Sequence, residues 1–113
     1  TLVTGTEKRR SYARICLDWD DIRKLDCHPL VTIGAHTHSH PVLSRETKTI
    51  ALKEIAVAKQ KLEDHLGQPV YHFAYPFGTS WEAGPREYRL AEECGPRMCH
   101  SLPSGATYTT QRK

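Results

Sequence analysis

The chain has 113 residues, enough for one domain or part of one, and carries a net charge of +3 with 13 acidic side chains interspersed among 16 basic ones. A hydrophobic fraction of 38% is too high for a typical disordered chain. No run approaches the roughly 20 apolar residues that a membrane-spanning helix needs, and the mean hydropathy of −0.58 agrees with a soluble protein.

Residues 1–16 show no periodicity and read as the end of a strand followed by a loop. No charged segment followed by an apolar run opens the chain at Thr1, so no signal peptide is legible in it. The one dense basic cluster, Lys8, Arg9 and Arg10 with Arg14 nearby, reads as a solvated loop, with a phosphate contact as the alternative. Mixed charge elsewhere argues against a nucleic-acid partner, which usually calls for a concentrated basic face.

A short helix is expected over residues 17–25. Asp18 is a natural N-cap, Asp21 three residues on is an acidic variant of the capping box, and Trp19, Ile22 and Leu25 share a face. Residues 29–35 are apolar and β-branched between Pro29 and Gly34, which predicts a strand buried on both sides, as in a parallel sheet. His36-Thr37-His38-Ser39-His40-Pro41 follows at once.

The strongest helix signal spans residues 45–66, where Ile50, Ile55, Ala58, Leu62 and Leu66 recur at helical spacing before Gly67 and Pro69 stop it. A second strand is expected over residues 70–75, ending at Pro76-Phe77-Gly78. A third helix is expected over residues 84–94, with Pro85 in its first turn and Gly95 after it. Residues 97–101 read as a third short strand, and the tail from Pro103 as turns followed by polar chain. The four cysteines, Cys16, Cys27, Cys94 and Cys99, include no C-x-x-C pair, which argues against a structural zinc knuckle. Cys94 and Cys99 flank Gly95-Pro96, where a disulfide is open, but ordinary buried thiols are the preferred reading.

Helices alternating with extended segments predict an α/β fold with parallel strands. In such sheets functional groups gather at the carboxyl ends of strands. Both distinctive clusters, His36 to Pro41 and Ala74 to Gly78, fall there, which is the reason to read them as one site. Imidazole suits zinc and similar divalent metals. A turn after the strand can aim His36 and His40 at one point and send His38 elsewhere. The competing reading is a surface loop that happens to hold histidines, and a two-histidine site in any case needs a third ligand from another part of the fold.

The stretch Gly34-Ala35-His36-Thr37-His38-Ser39-His40-Pro41-Val42-Leu43 resembles the H-[ST]-x-x-H metal motif of the polysaccharide deacetylases, carbohydrate esterase family four. Phe73-Ala74-Tyr75-Pro76-Phe77-Gly78 resembles that family's next motif. The helix between the two motifs and the upstream Leu17-Asp18-Trp19 segment are also similar, and the resemblance runs from about Leu17 to Gly105. It implies a distorted (β/α) barrel with fewer strands than the standard eight. It also implies metal-dependent removal of N-acetyl groups from a polysaccharide such as chitin oligomers, peptidoglycan or poly-N-acetylglucosamine, and an extracytoplasmic or cell-envelope setting. By this resemblance His36 and His40 are metal ligands for a divalent ion, zinc first, and Thr37 steadies the loop. Phe77 offers its backbone N–H to the oxyanion, and Tyr75 and Pro76 line the acetyl pocket.

Three departures qualify the expectation. The family's T-F-D-D type segment, which supplies the aspartate ligand and the base, has no counterpart here. Asp20-Asp21 sits in an expected helix, and the role is not transferred to it. Ala74 stands where the family carries an arginine, and His100 is misplaced for the general-acid histidine. Residues 1–113 are therefore expected to be a fragment of a catalytic domain, a partial barrel cut at both ends and inactive by itself. Its open strand edges are expected to be covered by further chain or by self-association. The alternative is a non-catalytic metal- or carbohydrate-binding module.

Overall fold

The structure, a computed structural model, describes residues 15–95 and the backbone of two strands, Cys99–Ser101 and Thr107–Thr109. The readings made for residues 1–14, including the basic cluster, lie outside the described residues. The chain divides into two compact units, Thr1–Ile33 and Gly34–Lys113.

In the first unit, helix α1 spans Trp19–Asp26. Its start is set by the expected reciprocal cap. Asp18 Oδ1 accepts the Asp21 N–H at 2.8 Å, and Asp21 Oδ2 accepts the Asp18 N–H at 3.2 Å. Trp19 and Ile22 are half-buried, whereas Leu25 is exposed. The strand expected over residues 29–35 does not form. The Val31 N–H bonds back to the His28 carbonyl at 3.1 Å, and the Leu30 N–H bonds to His28 Nδ1 at 3.1 Å, so these donors close a turn. Pro29 has no N–H to give a ladder, and Leu30 is 88% exposed rather than buried on both sides.

The second unit holds a short sheet. Strand β1 is His72–Phe73, β2 is Cys99–Ser101 and β3 is Thr107–Thr109, in the order β1-β2-β3. β1 and β2 run parallel with His72 opposite Cys99, and β2 and β3 run antiparallel with His100 opposite Tyr108. Ala35 adds a parallel bridge on the other side of β1, donating to the His72 carbonyl at 2.8 Å and accepting from the Ala74 N–H at 2.9 Å. The fold is thus α/β, but its strands are shorter than expected and not all parallel. β3 falls in the tail that reads as turns and polar chain. Gly34 permits the close approach to β1, since a Cβ there would meet the Cβ and carbonyl oxygen of His72, both at 3.1 Å.

Helix α2, Lys48–Leu66, begins later than the expected residue 45, because the Thr47 hydroxyl caps it by accepting the Ile50 N–H at 3.3 Å. Leu43–Arg45 forms a separate 3-10 turn before it. α2 ends at Gly67, whose φ of 70° is the left-handed conformation that favours glycine. Ala51, Ile55 and Ala58 are its buried stripe. Ile50, expected on that face, is exposed. Helix α3, Pro85–Cys94, buries Glu87, Leu90 and Ala91 against the same core. Small alanines on both helices let them pack closely around Phe73 and Leu43. The backbone after α2 is tied down by Glu63, which accepts the Val70 N–H at 3.1 Å while pairing with Lys59 at 2.7 Å.

Cys94 is a free, half-buried thiol. Burial, helped by Glu93 and opposed by Lys59, pushes it up to about 11. The thiolate is the reactive form, so only roughly 0.3% of Cys94 is ionised at pH 8.5. Iodoacetamide at that pH, followed by peptide mass spectrometry, is expected to label the exposed Cys16 and Cys27 well before Cys94.

Candidate metal centre

Ala35 is the last residue held by the sheet on its segment, so His36 emerges at the edge of β1. Its Nδ1 lies 2.8 Å from the Ala74 carbonyl oxygen. A carbonyl only accepts, so Nδ1 donates this bond, and Nε2 is the ring nitrogen left for another partner. A backbone hydrogen bond of this kind fixes the orientation of an imidazole, as second partners do for histidines in metal sites.

The chain then turns sharply. Thr37 and His40 have φ of 68° and 59°. The Thr37 hydroxyl accepts the His40 N–H at 3.1 Å, which steadies the turn as the sequence led one to expect. The turn brings the His36 and His40 rings edge to face with centroids 4.8 Å apart, and His40 meets the Phe77 ring at 5.0 Å. Phe77 itself has φ of 67°. Among the described residues, the three non-glycine positions with positive φ are therefore Thr37, His40 and Phe77, all in this cluster. Such conformations cost roughly 1–3 kcal/mol each and tend to concentrate where function needs them.

Not every expected residue joins the cluster in the same way. Phe77 is 58% exposed, and among the described residues its N–H has no acceptor. Tyr75 is 4% exposed, and its ring packs in the core between Phe73, 5.0 Å away, and Tyr88, 5.4 Å away. Burial, with Tyr88 and Glu87 close by, pushes its hydroxyl well above the usual tyrosine range. Pro76 is also buried. Ala74 contributes through its carbonyl.

His38 turns its backbone N–H to Glu54, a residue that sequence reasoning passed over. Glu54 Oε2 accepts the N–H groups of His38 at 2.9 Å and Ser39 at 2.8 Å, and Oε1 accepts the Ser39 hydroxyl at 2.5 Å. Desolvation alone would raise this carboxyl, but the bonds from Ser39 and His38 outweigh it and hold the group below the ordinary glutamate range. The signal was a carboxylate on α2 directly beside Ile55, at the border of the buried stripe.

As a metal site the donor set fits in part. Two imidazole rings lie with centroids 4.8 Å apart, one of them oriented by a backbone carbonyl, and imidazole is a donor that zinc favours. Among the described residues no three His, Cys, Asp or Glu side chains are grouped to hold an ion. Asp21 is engaged in the α1 cap, and Asp20 is paired with Arg23 at 2.6 Å.

The fold is similar to that of the Streptococcus pyogenes deacetylase PplD, solved in complex with acetate, with a TM-score of 0.63 and 20% identity over 69% of this chain. This chain spans 33% of the length of that one. The polysaccharide deacetylase family matches residues 2–97, and the chain belongs to that family. No curated protein sequence matches it.

Proposed function

We propose that the chain carries the histidine half of the metal centre of a polysaccharide deacetylase that hydrolyses N-acetyl groups of a polymer such as chitin oligomers, peptidoglycan or poly-N-acetylglucosamine. The observation that carries this reading is the pairing of His36 and His40, 4.8 Å between ring centroids, with His36 Nδ1 held by the Ala74 carbonyl. Residues 1–113 are then part of a distorted (β/α) barrel, and the aspartate ligand, the base and the general acid come from chain outside them. The chain by itself is expected to give no turnover.

Zinc, when bound, would polarise the acetamide carbonyl and acidify a water. His36 and His40 would hold it, with the Ala74 carbonyl orienting the His36 ring through Nδ1. The Phe77 N–H serves as a hydrogen-bond donor to the oxyanion, a role that a preorganised backbone amide fills well. Tyr75 and Pro76, expected to line the acetyl pocket, are both buried, and the Tyr75 ring packs in the core.

The test is acetate release from N-acetylated glycan polymers by the full-length protein, before and after treatment with a chelator. Release that stops on chelation and returns with zinc is the expected result. Metal or glycan binding with no acetate released from any of these polymers would favour a non-catalytic binding module.

A further inference from the structure

The loop between the two histidines is strained at both ends, at Thr37 and at His40, and something must hold it. The Thr37 hydroxyl closes it from within. From outside, Glu54 grips its two middle residues. Two successive N–H groups, of His38 and Ser39, converge on one carboxylate oxygen at 2.9 and 2.8 Å, which is how a backbone nest binds an anion. The other oxygen takes the Ser39 hydroxyl at 2.5 Å.

The grip is anchored. Glu54 is flanked on α2 by Ile55, which is fully buried, and the same helix buries Ala51 and Ala58 in the core. The carboxylate thus transfers the rigidity of a packed helix to a loop whose own histidines are all exposed. Hydrogen bonds to an ionised acceptor are stronger than neutral ones, so a charged group suits this task.

We propose that Glu54 is a positioning residue for the candidate metal centre: anchored on α2, its carboxylate fixes His38 and Ser39 so that the His36 and His40 imidazoles stay convergent. The proposal rests on the reading of those histidines as ligands. Glu54 itself touches neither ring.

The test uses Glu54→Gln and Glu54→Ala in the full-length protein, with His36→Ala as control. Glutamine keeps the shape and removes the charge. Glu54→Gln is expected to unfold near the wild-type temperature and bind zinc several-fold more weakly. In the metal-free state it should also lose NOE intensity between the two imidazole rings, while the methyl contacts of Ile55 and Leu90 persist. Glu54→Ala is expected to weaken zinc by the roughly 10–100-fold seen when support of a ligand is removed. If Glu54→Ala fails to fold, Glu54→Gln decides. Wild-type zinc affinity together with unchanged ring contacts in Glu54→Gln would overturn the proposal. If His36→Ala leaves zinc binding intact, the ligand reading fails instead, and the ring NOE in the metal-free protein still reports on Glu54.

Discussion

Zinc titration of the full-length protein is expected to show binding that His36→Ala and His40→Ala each abolish and that His38→Ala leaves nearly intact. The three histidines occupy alternate positions in one loop, and all are exposed, so neither composition nor exposure separates them. Geometry does. The His36 and His40 rings meet at 4.8 Å, and His36 is oriented through Nδ1 by the Ala74 carbonyl. His38 contributes its backbone N–H to Glu54, which a His38→Ala chain would retain. Loss of a ligand from a catalytic site with three protein ligands should exceed the roughly 10–100-fold effect of losing a supporting hydrogen bond. His38→Ala should fall below that range. Equal losses from all three substitutions would sink the assignment and return the segment to a histidine-bearing surface loop.

The helices were legible in the sequence because each carries its own punctuation. Asp18 with Asp21, Gly67, and Pro85 with Gly95 mark ends by local chemistry that needs no tertiary partner. The strands were not legible in the same way. Residues 29–33 look like a buried strand by composition, yet a strand exists only where a neighbour accepts its hydrogen bonds, and here His28 takes the Val31 donor first. Thr107-Tyr108-Thr109 has β-branched and aromatic character, but three residues are too few for a pattern to stand out. At the site, His36, His40 and Phe77 announced themselves by motif. Tyr75 announced itself too, but the motif did not say that its ring turns into the core. Glu54 gave only a positional signal beside Ile55, because its bonds go to backbone N–H groups, which every residue has, across a turn that the sequence does not draw.

Replacing Arg86 with methionine is expected to destabilise the fold by about 2–3 kcal/mol, since breaking a buried ion pair by removing one partner costs ~3–5 kcal/mol and this guanidinium is partly solvated. One guanidinium nitrogen, Nη2, donates to the carbonyls of Leu43 and Glu46, each at 2.9 Å, and lies 2.8 Å from Glu87 Oε1. Nε donates to the same carboxylate oxygen at 2.9 Å. Arg86 thereby joins the first turn of α3 to both ends of the 3-10 turn that leads from the histidine loop into α2. Glu87 is 3% exposed, and its other oxygen accepts the Gly84 N–H at 2.9 Å. Methionine keeps the apolar stem and removes every one of the Arg86 donors, leaving a buried carboxylate short of its cation. If that uncompensated charge is the main cost, adding Glu87→Gln should recover part of the loss, because a neutral amide can still accept from Gly84. Denaturant midpoints for the four members of the cycle measure this directly. A coupling near zero between the two positions would mean that the bonds to the Leu43 and Glu46 carbonyls, rather than the ion pair, carry the effect. A loss below about 0.5 kcal/mol for Arg86→Met would place it with ordinary surface substitutions and contradict the prediction outright.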